Sequence, residues 1–144
     1  MKRIMAVGVF DLLHAGHLHY LEQAKALGDY LCVVVAHDDT VRKRKHEPVT
    51  GQEMRQRMVQ GLKPVDEAII GNPPDVPIFD ILPKIQPNII ALGYDQFAFT
   101  YRLEKLLMDI KLDSKIVRLK PYRPDMYKSS ILRRKIKEEK LTYA

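Results

Sequence analysis

Val7-Gly8-Val9-Phe10-Asp11-Leu12-Leu13-His14-Ala15-Gly16-His17 decides how this chain is read. The stretch opens as the end of a strand, because Ile4, Met5, Ala6 and Val7 form a short apolar run behind a basic N-terminus. It closes as the start of a helix, because Leu18, Tyr20, Leu21 and Ala24 recur at helical spacing. Gly8 and Gly16 have no Cβ, so the backbone there can turn sharply or approach a ligand closely. A strand running directly into a helix leaves free N–H groups and a positive dipole end at the turn, which suits phosphate. His14 and His17 at that turn can donate to phosphate oxygens and stabilise charge that develops in phosphoryl transfer.

Outward from this turn, strand and helix patterns alternate. Residues 2–8 read as a first strand and 16–27 as a first helix, with Gly28 as its C-cap. Residues 30–36 are a continuous β-branched run, as expected of a strand covered on both faces. Residues 38–50 are polar and charged and read as irregular. Residues 51–61 read as a second helix, with Met54, Met58 and Leu62 spaced for one face. Residues 67–70 form a short third strand ended by Gly71, and 72–77, with three prolines, can only be a connection. A brief helix at 78–85, a strand at 88–92, an amphipathic helix at 101–110, a strand at 114–119 and a basic helix at 129–140 complete the chain. Repeated β-α-β units imply an α/β fold with a parallel sheet and helices on both faces. Ligands in such sheets bind at the carboxyl ends of the strands, where the strand order reverses, and the histidine turn falls there.

A length of 144 residues sets one domain, spanning 1–144. A chain of this size buries roughly 68–70% of its unfolded surface. Hydrophobic content of 46% and charged content of 29% are those of a soluble globular protein. No apolar run approaches the ~20 residues of a membrane span, and no signal-peptide pattern follows Lys2 and Arg3. Cys32 is the single cysteine and sits in the β-branched run, so it reads as a small buried apolar residue. These features fit a cytoplasmic enzyme or binding protein with no membrane partner. The net charge of +6 favours anionic partners such as phosphates, nucleotides or nucleic acid.

Several further residues bear on chemistry. Arg42, Lys43, Arg44, Lys45 and His46 follow the second strand and read as a mobile phosphate clamp, with a solvated loop or nucleic-acid arm as the plainer reading. Asp11 and Asp38 are the carboxylates nearest the turn, and either could hold Mg²⁺. Asp11 could equally serve the turn itself. No His/Cys/Asp cluster has metal-cage spacing, so a metal is expected to arrive with the nucleotide. One of Arg55 and Arg57 could face the site. Gly93 ends the fourth strand, and Asp95 two residues on could accept from ribose hydroxyls. Ser129 or Ser130 is an N-cap for the last helix, whose start is a second anion site.

The stretch from Gly8 to His17 resembles the GxFDxxHxGH signature of the nucleotidyltransferase superfamily that includes cytidylyltransferases and pantetheine-phosphate adenylyltransferases. The resemblance implies a Rossmann-like five-stranded parallel sheet of order 3-2-1-4-5. It implies that Gly8, Val9, Phe10, Asp11, His14, Ala15, Gly16 and His17 contact the nucleotide, with both histidines on the phosphates. Lys43 and Lys45 are the nearest matches to the superfamily's phosphate-binding lysines, and Gly93 and Asp95 to its G-x-D element. Ser129, Ser130 and Arg134 (Arg133 with a one-residue slip) stand where its serine-rich motif binds the β- and γ-phosphates, though Ile131 replaces a third hydroxyl. Tyr122 falls within reach of the base.

Lys63-Pro64 replaces the Arg-Tyr of glycerol-phosphate cytidylyltransferases, and there is no tryptophan, so CTP with glycerol 3-phosphate is the second reading. The segments Leu62-Lys63-Pro64-Val65-Asp66 and Ala91-Leu92-Gly93-Tyr94-Asp95-Gln96 look most like archaeal-type FAD synthetases. That resemblance implies AMP transfer from ATP to FMN, giving FAD and pyrophosphate, with Mg²⁺ carried by the nucleotide. Tyr94, Phe97, Phe99, Tyr101 and Tyr127 could then line a flavin slot, or simply be core. Nucleic acid is not an expected partner on this reading. Small enzymes of this sort often pair through exposed strand edges, which leaves a homodimer open.

Overall fold

Short β-branched runs separated by helices build a five-stranded sheet in the computed structural model, which describes residues 1–44, 46–93 and 100–120. The elements in order are β1 (Arg3–Gly8), α1 (Ala15–Ala26), β2 (Tyr30–Val35), α2 (Asp38–Arg44), α3 (Gln52–Gln60) and β3 (Glu67–Ile70). A 3₁₀ turn (Ile78–Ile81) leads into α4 (Leu82–Ile85), followed by β4 (Ile89–Leu92), α5 (Thr100–Asp109) and β5 (Lys115–Arg118). All pairings are parallel and the strand order is β3-β2-β1-β4-β5. This is the Rossmann-like order that the resemblance implied. The basic helix expected at 129–140 lies outside the described residues.

Side chains alternate across the sheet, because successive residues of a strand face opposite ways. Ile4, Ala6, Leu31, Val33 and Val35 meet Leu21 and Ala24 of α1 and Val59 of α3 on one face. Met5, Val7, Cys32, Val34 and Ile90 meet Leu82 of α4 and Leu103 and Leu107 of α5 on the other. Each fully buried aliphatic side chain contributes about 1.5–3 kcal/mol by leaving water. Cys32 is part of this packing, and burial pushes its thiol up to about 11, so it stays protonated and inert.

Three expectations change. Residues 38–50 are not wholly irregular: α2 occupies Asp38–Arg44. Its acidic residues Asp38 and Asp39 sit in the first turn and its basic residues in the last, as the helix dipole favours. Met54 and Met58 are on the exposed face of α3, each more than half accessible, and the buried residues are Arg55 and Val59. Gly28 is not a left-handed cap, since the chain leaves α1 through Leu27 at φ −77°. It is glycine because a Cβ there would lie 2.7 Å from Ile4 Cδ1 and 2.8 Å from the Lys2 carbonyl.

β1 pairs with β2 as far as Gly8↔Val35, and β4 pairs with β5 as far as Leu92↔Arg118. The seam between β1 and β4 stops earlier, at Ala6↔Ala91. A fork therefore opens at the middle of the carboxyl edge. Tyr20 of α1 sits in it: its hydroxyl donates to the Ala91 carbonyl at 2.7 Å and accepts from the Val7 N–H at 3.3 Å.

Candidate active site

The histidine turn begins where β1 ends. Phe10 and Leu12 adopt left-handed backbone, at φ 57° and 55°, which bends the chain from the strand toward α1. Such conformations cost about 1–3 kcal/mol each outside glycine, so the surroundings must hold them. The Phe10 ring lies across Gly8, where a Cβ would come within 2.7 Å of it. The Phe10 ring takes the space that Gly8 leaves on its Cβ side. Phe10 is itself buried and packs against His17 (5.6 Å between ring centroids) and Tyr20 (6.4 Å).

His14 is the N-cap of α1. Its Nδ1 accepts the Gly16 N–H at 3.0 Å, and His17 Nδ1 accepts the His14 N–H at 3.2 Å. Histidines thus form a capping box, a role usually taken by serine and glutamate. The rings stack with centroids 3.9 Å apart. A neutral ring whose Nδ1 accepts carries its proton on Nε2, so each imidazole is a donor at its far edge. Burial lowers the pKa of His14 below the ordinary histidine value, which favours this neutral form. Ala15 and Gly16 are the first residues of the helix, with Ala15 exposed.

Asp11 does not present a carboxylate for a metal. It is 1% exposed, and its oxygens accept from Val49 N–H (2.8 Å), Thr50 N–H (3.0 Å) and Thr50 Oγ1 (2.7 Å). Asp38 is also committed, to Arg55 Nη2 at 2.5 Å. Among the described residues no group of three His, Cys, Asp or Glu side chains could hold a metal ion. Both carboxylates carry structural contacts, Asp11 to the backbone and hydroxyl of the 49–50 segment and Asp38 to Arg55.

Arg55 was only one of two candidates to face the site, and its part proves different. It is 1% exposed and gathers the carbonyls of Val9 and Ala36 (2.8 Å each) and Thr50 (2.9 Å) as well as Asp38. It thus ties the ends of β1 and β2 together beneath the turn. Thr50 is invisible to sequence reasoning, because the carboxylate it serves, Asp11, is 39 residues away in the chain. Val9 is half-buried and takes part through its carbonyl.

Lys43 is exposed in the last turn of α2, and Arg42 beside it is engaged by Asp39 and Glu47. Gly93 follows β4, and its carbonyl accepts from Arg118 at 3.1 Å. Lys45, Tyr94, Asp95, Phe97, Phe99, Tyr122, Tyr127, Ser129, Ser130, Arg133 and Arg134 lie outside the described residues, as does the side chain of Tyr101. No helix among the described residues is long and apolar enough to cross a membrane.

Known proteins are similar to this chain in sequence and fold. A family model described as Cytidylyltransferase-like matches residues 5–135. A FAD synthase of Thermoplasma acidophilum is 44% identical over 138 residues, which are 96% of this chain and 96% of that protein. A FAD synthase of Picrophilus torridus is 44% identical over 136 residues, covering 94% of this chain and 96% of that protein. The crystal structure of the lipopolysaccharide core biosynthesis protein from Thermoplasma volcanium matches with a TM-score of 0.80 at 41% identity, over 85% of this chain and 98% of that one. A sheet forked at its carboxyl edge, a histidine-capped helix beside the fork and these relatives agree, and the chain belongs to the cytidylyltransferase-like nucleotidyltransferases, in the group of the archaeal FAD synthases.

Proposed function

We propose that the chain transfers AMP from ATP to FMN, yielding FAD and pyrophosphate. The observation that carries the chemistry is the stacked His14/His17 pair, fixed through both Nδ1 atoms at the mouth of the sheet. The acceptor follows from the relatives named FAD synthase, which match nearly the whole chain.

A phosphate oxygen of FMN attacks the α-phosphorus of ATP in line. The new P–O bond forms as the bond to the bridging oxygen breaks, and pyrophosphate departs with that electron pair. The attacking phosphate is already ionised, so no strong base is required. Catalysis is positioning plus charge stabilisation. His14 and His17 donate from Nε2 to the α-phosphoryl oxygens. Neutral donors fixed in advance need no reorganisation as charge builds. Lys43, with Lys45, supplies cations for the phosphates, and Gly93 with Asp95 takes the ribose. Tyr122 takes the base, and Ser129, Ser130 and Arg134 hold the β- and γ-phosphates. Magnesium enters as part of the nucleotide. The cytoplasm, where ATP and FMN both occur, is the proposed location.

The test is FAD formation from FMN and ATP with magnesium, with CTP in parallel. His17→Ala is expected to lower turnover at least about a hundredfold, the scale of losing one oxyanion donor, while its circular dichroism remains that of the folded protein. Near-normal turnover in that variant refutes the assigned role. Absence of FAD from the unmodified chain refutes the reaction.

A further inference from the structure

We propose that Thr50 is a positioning residue, the link that holds the basic helix α2 at one setting relative to the histidine turn. The inference rests on the adenylyl-transfer reading, in which α2 serves the phosphates.

α2 has seven residues, and Val41 is its one buried side chain. A helix so short has little stability of its own and is placed by what surrounds it. Apolar packing through one valine is a weak hold, and the mid-helix Thr40 hydroxyl reaches the Asn72 carbonyl only at 3.4 Å, so the closer polar contacts at its two ends set its position. At the entry, the Asp38 carboxylate meets Arg55, and the Asp38 N–H donates to Gln52 Oε1 at 2.8 Å. At the exit, the chain runs to Val49 and Thr50, which are fastened to Asp11 under the β1 turn.

Thr50 joins the two ends. Its N–H and hydroxyl donate to Asp11, and its carbonyl accepts from Arg55 Nε. A buried anion and a buried cation, each 1% exposed, thus act on one residue from opposite sides. Hydrogen bonds to buried charges are the strong ones, and removing a donor leaves the charge short of a partner. A slack link at Thr50 frees the exit of α2 while leaving the sheet and its two apolar faces intact. The cations of α2 would then lose their fixed distance from His14 and His17.

The experiment compares Thr50→Val, which keeps the shape and loses the hydroxyl, with Thr50→Ser, which restores it. The probe is inorganic tripolyphosphate, titrated calorimetrically against the full chain. Amide hydrogen exchange across α2 is followed alongside. Thr50→Val is expected to bind tripolyphosphate about tenfold more weakly and to exchange α2 amides about tenfold faster, the scale of one lost charged hydrogen bond, with Thr50→Ser close to the unmodified chain. Should Thr50→Val fail to fold, Asp38→Asn cuts the other end of α2 and is expected to show the same weakening. Equal affinities across the variants overturn the inference, as does a lowered melting temperature in Thr50→Val with affinity unmoved. Absence of tripolyphosphate binding by the unmodified chain also overturns it. A chain that makes no FAD, yet keeps the valine–serine contrast in tripolyphosphate binding, instead sinks the adenylyl-transfer reading alone.

Discussion

The two ends of the sheet solve the same problem differently. At the amino end, carboxylates join neighbouring strands in contact with water. Asp66 accepts from the Leu31 N–H at 2.8 Å and pairs with Lys25, both side chains about a third exposed. Asp29 accepts from the Lys2 N–H, and Tyr30 Oη donates to Glu67. At the carboxyl end the charges of Asp11 and Arg55 are withdrawn from water. Left-handed non-glycine backbone occurs at both ends, at Phe10 and Leu12 here and at Gln86 and Lys111 there. The amino end is joined by charges left in contact with water. The carboxyl end is held by buried ones, which fix the backbone of the histidine turn where preorganised donors are needed. Stability lost at one end should therefore be modest and local, and at the other large and coupled to turnover.

The largest effect expected from this contrast is at Arg55. Arg55→Met strands Asp38 and three carbonyls and is expected to cost about 3–5 kcal/mol, read as a lower urea midpoint at unchanged slope. A loss under about 1 kcal/mol would mean that the buried network is incidental.

The pH dependence of His14 should be smaller. Its pKa lies below the unfolded value, so the unfolded chain takes the proton first as pH falls. Its contribution to stability is complete above about 6.5, the free histidine value, and is lost as pH drops toward the folded pKa. Protonation also ends acceptance of the Gly16 N–H by Nδ1, so turnover should fall on the same acid limb. A pH–rate profile with no acid limb anywhere below the free-histidine range would contradict this.

The smallest effect is at the amino end. Lys25→Ala removes a partly exposed pair and is expected to cost about 0.2–1 kcal/mol, with FAD formation unchanged. A matching fall in turnover would show that the two ends are not independent.

The strands were legible because the apolar runs at β1, β2 and β4 carry their own signal, and the histidine turn because its glycines and imidazoles lie close together in sequence. α2 was obscured by its charge: a run of cations reads as a loop, although its acid-first, base-last order follows the helix dipole. The phase of α3 was misread because a buried arginine counts as polar in any apolar pattern, which left two exposed methionines to suggest the wrong face. Nothing near Asp11 announces Val49 and Thr50, since a carboxylate's partner across 38 or 39 residues appears only when the chain is folded.

The capping of α1 by its own histidines fixes more than a helix end. Rotating either ring by half a turn would set a carbon where the backbone N–H now finds an acceptor. Neither imidazole can therefore exchange its inner nitrogen for its outer one without giving up a cap, at a cost of about 0.5–2 kcal/mol. On the proposed reading the pair donates to an oxyanion and does not relay a proton between its own nitrogens, which suits a nucleophile that arrives already deprotonated.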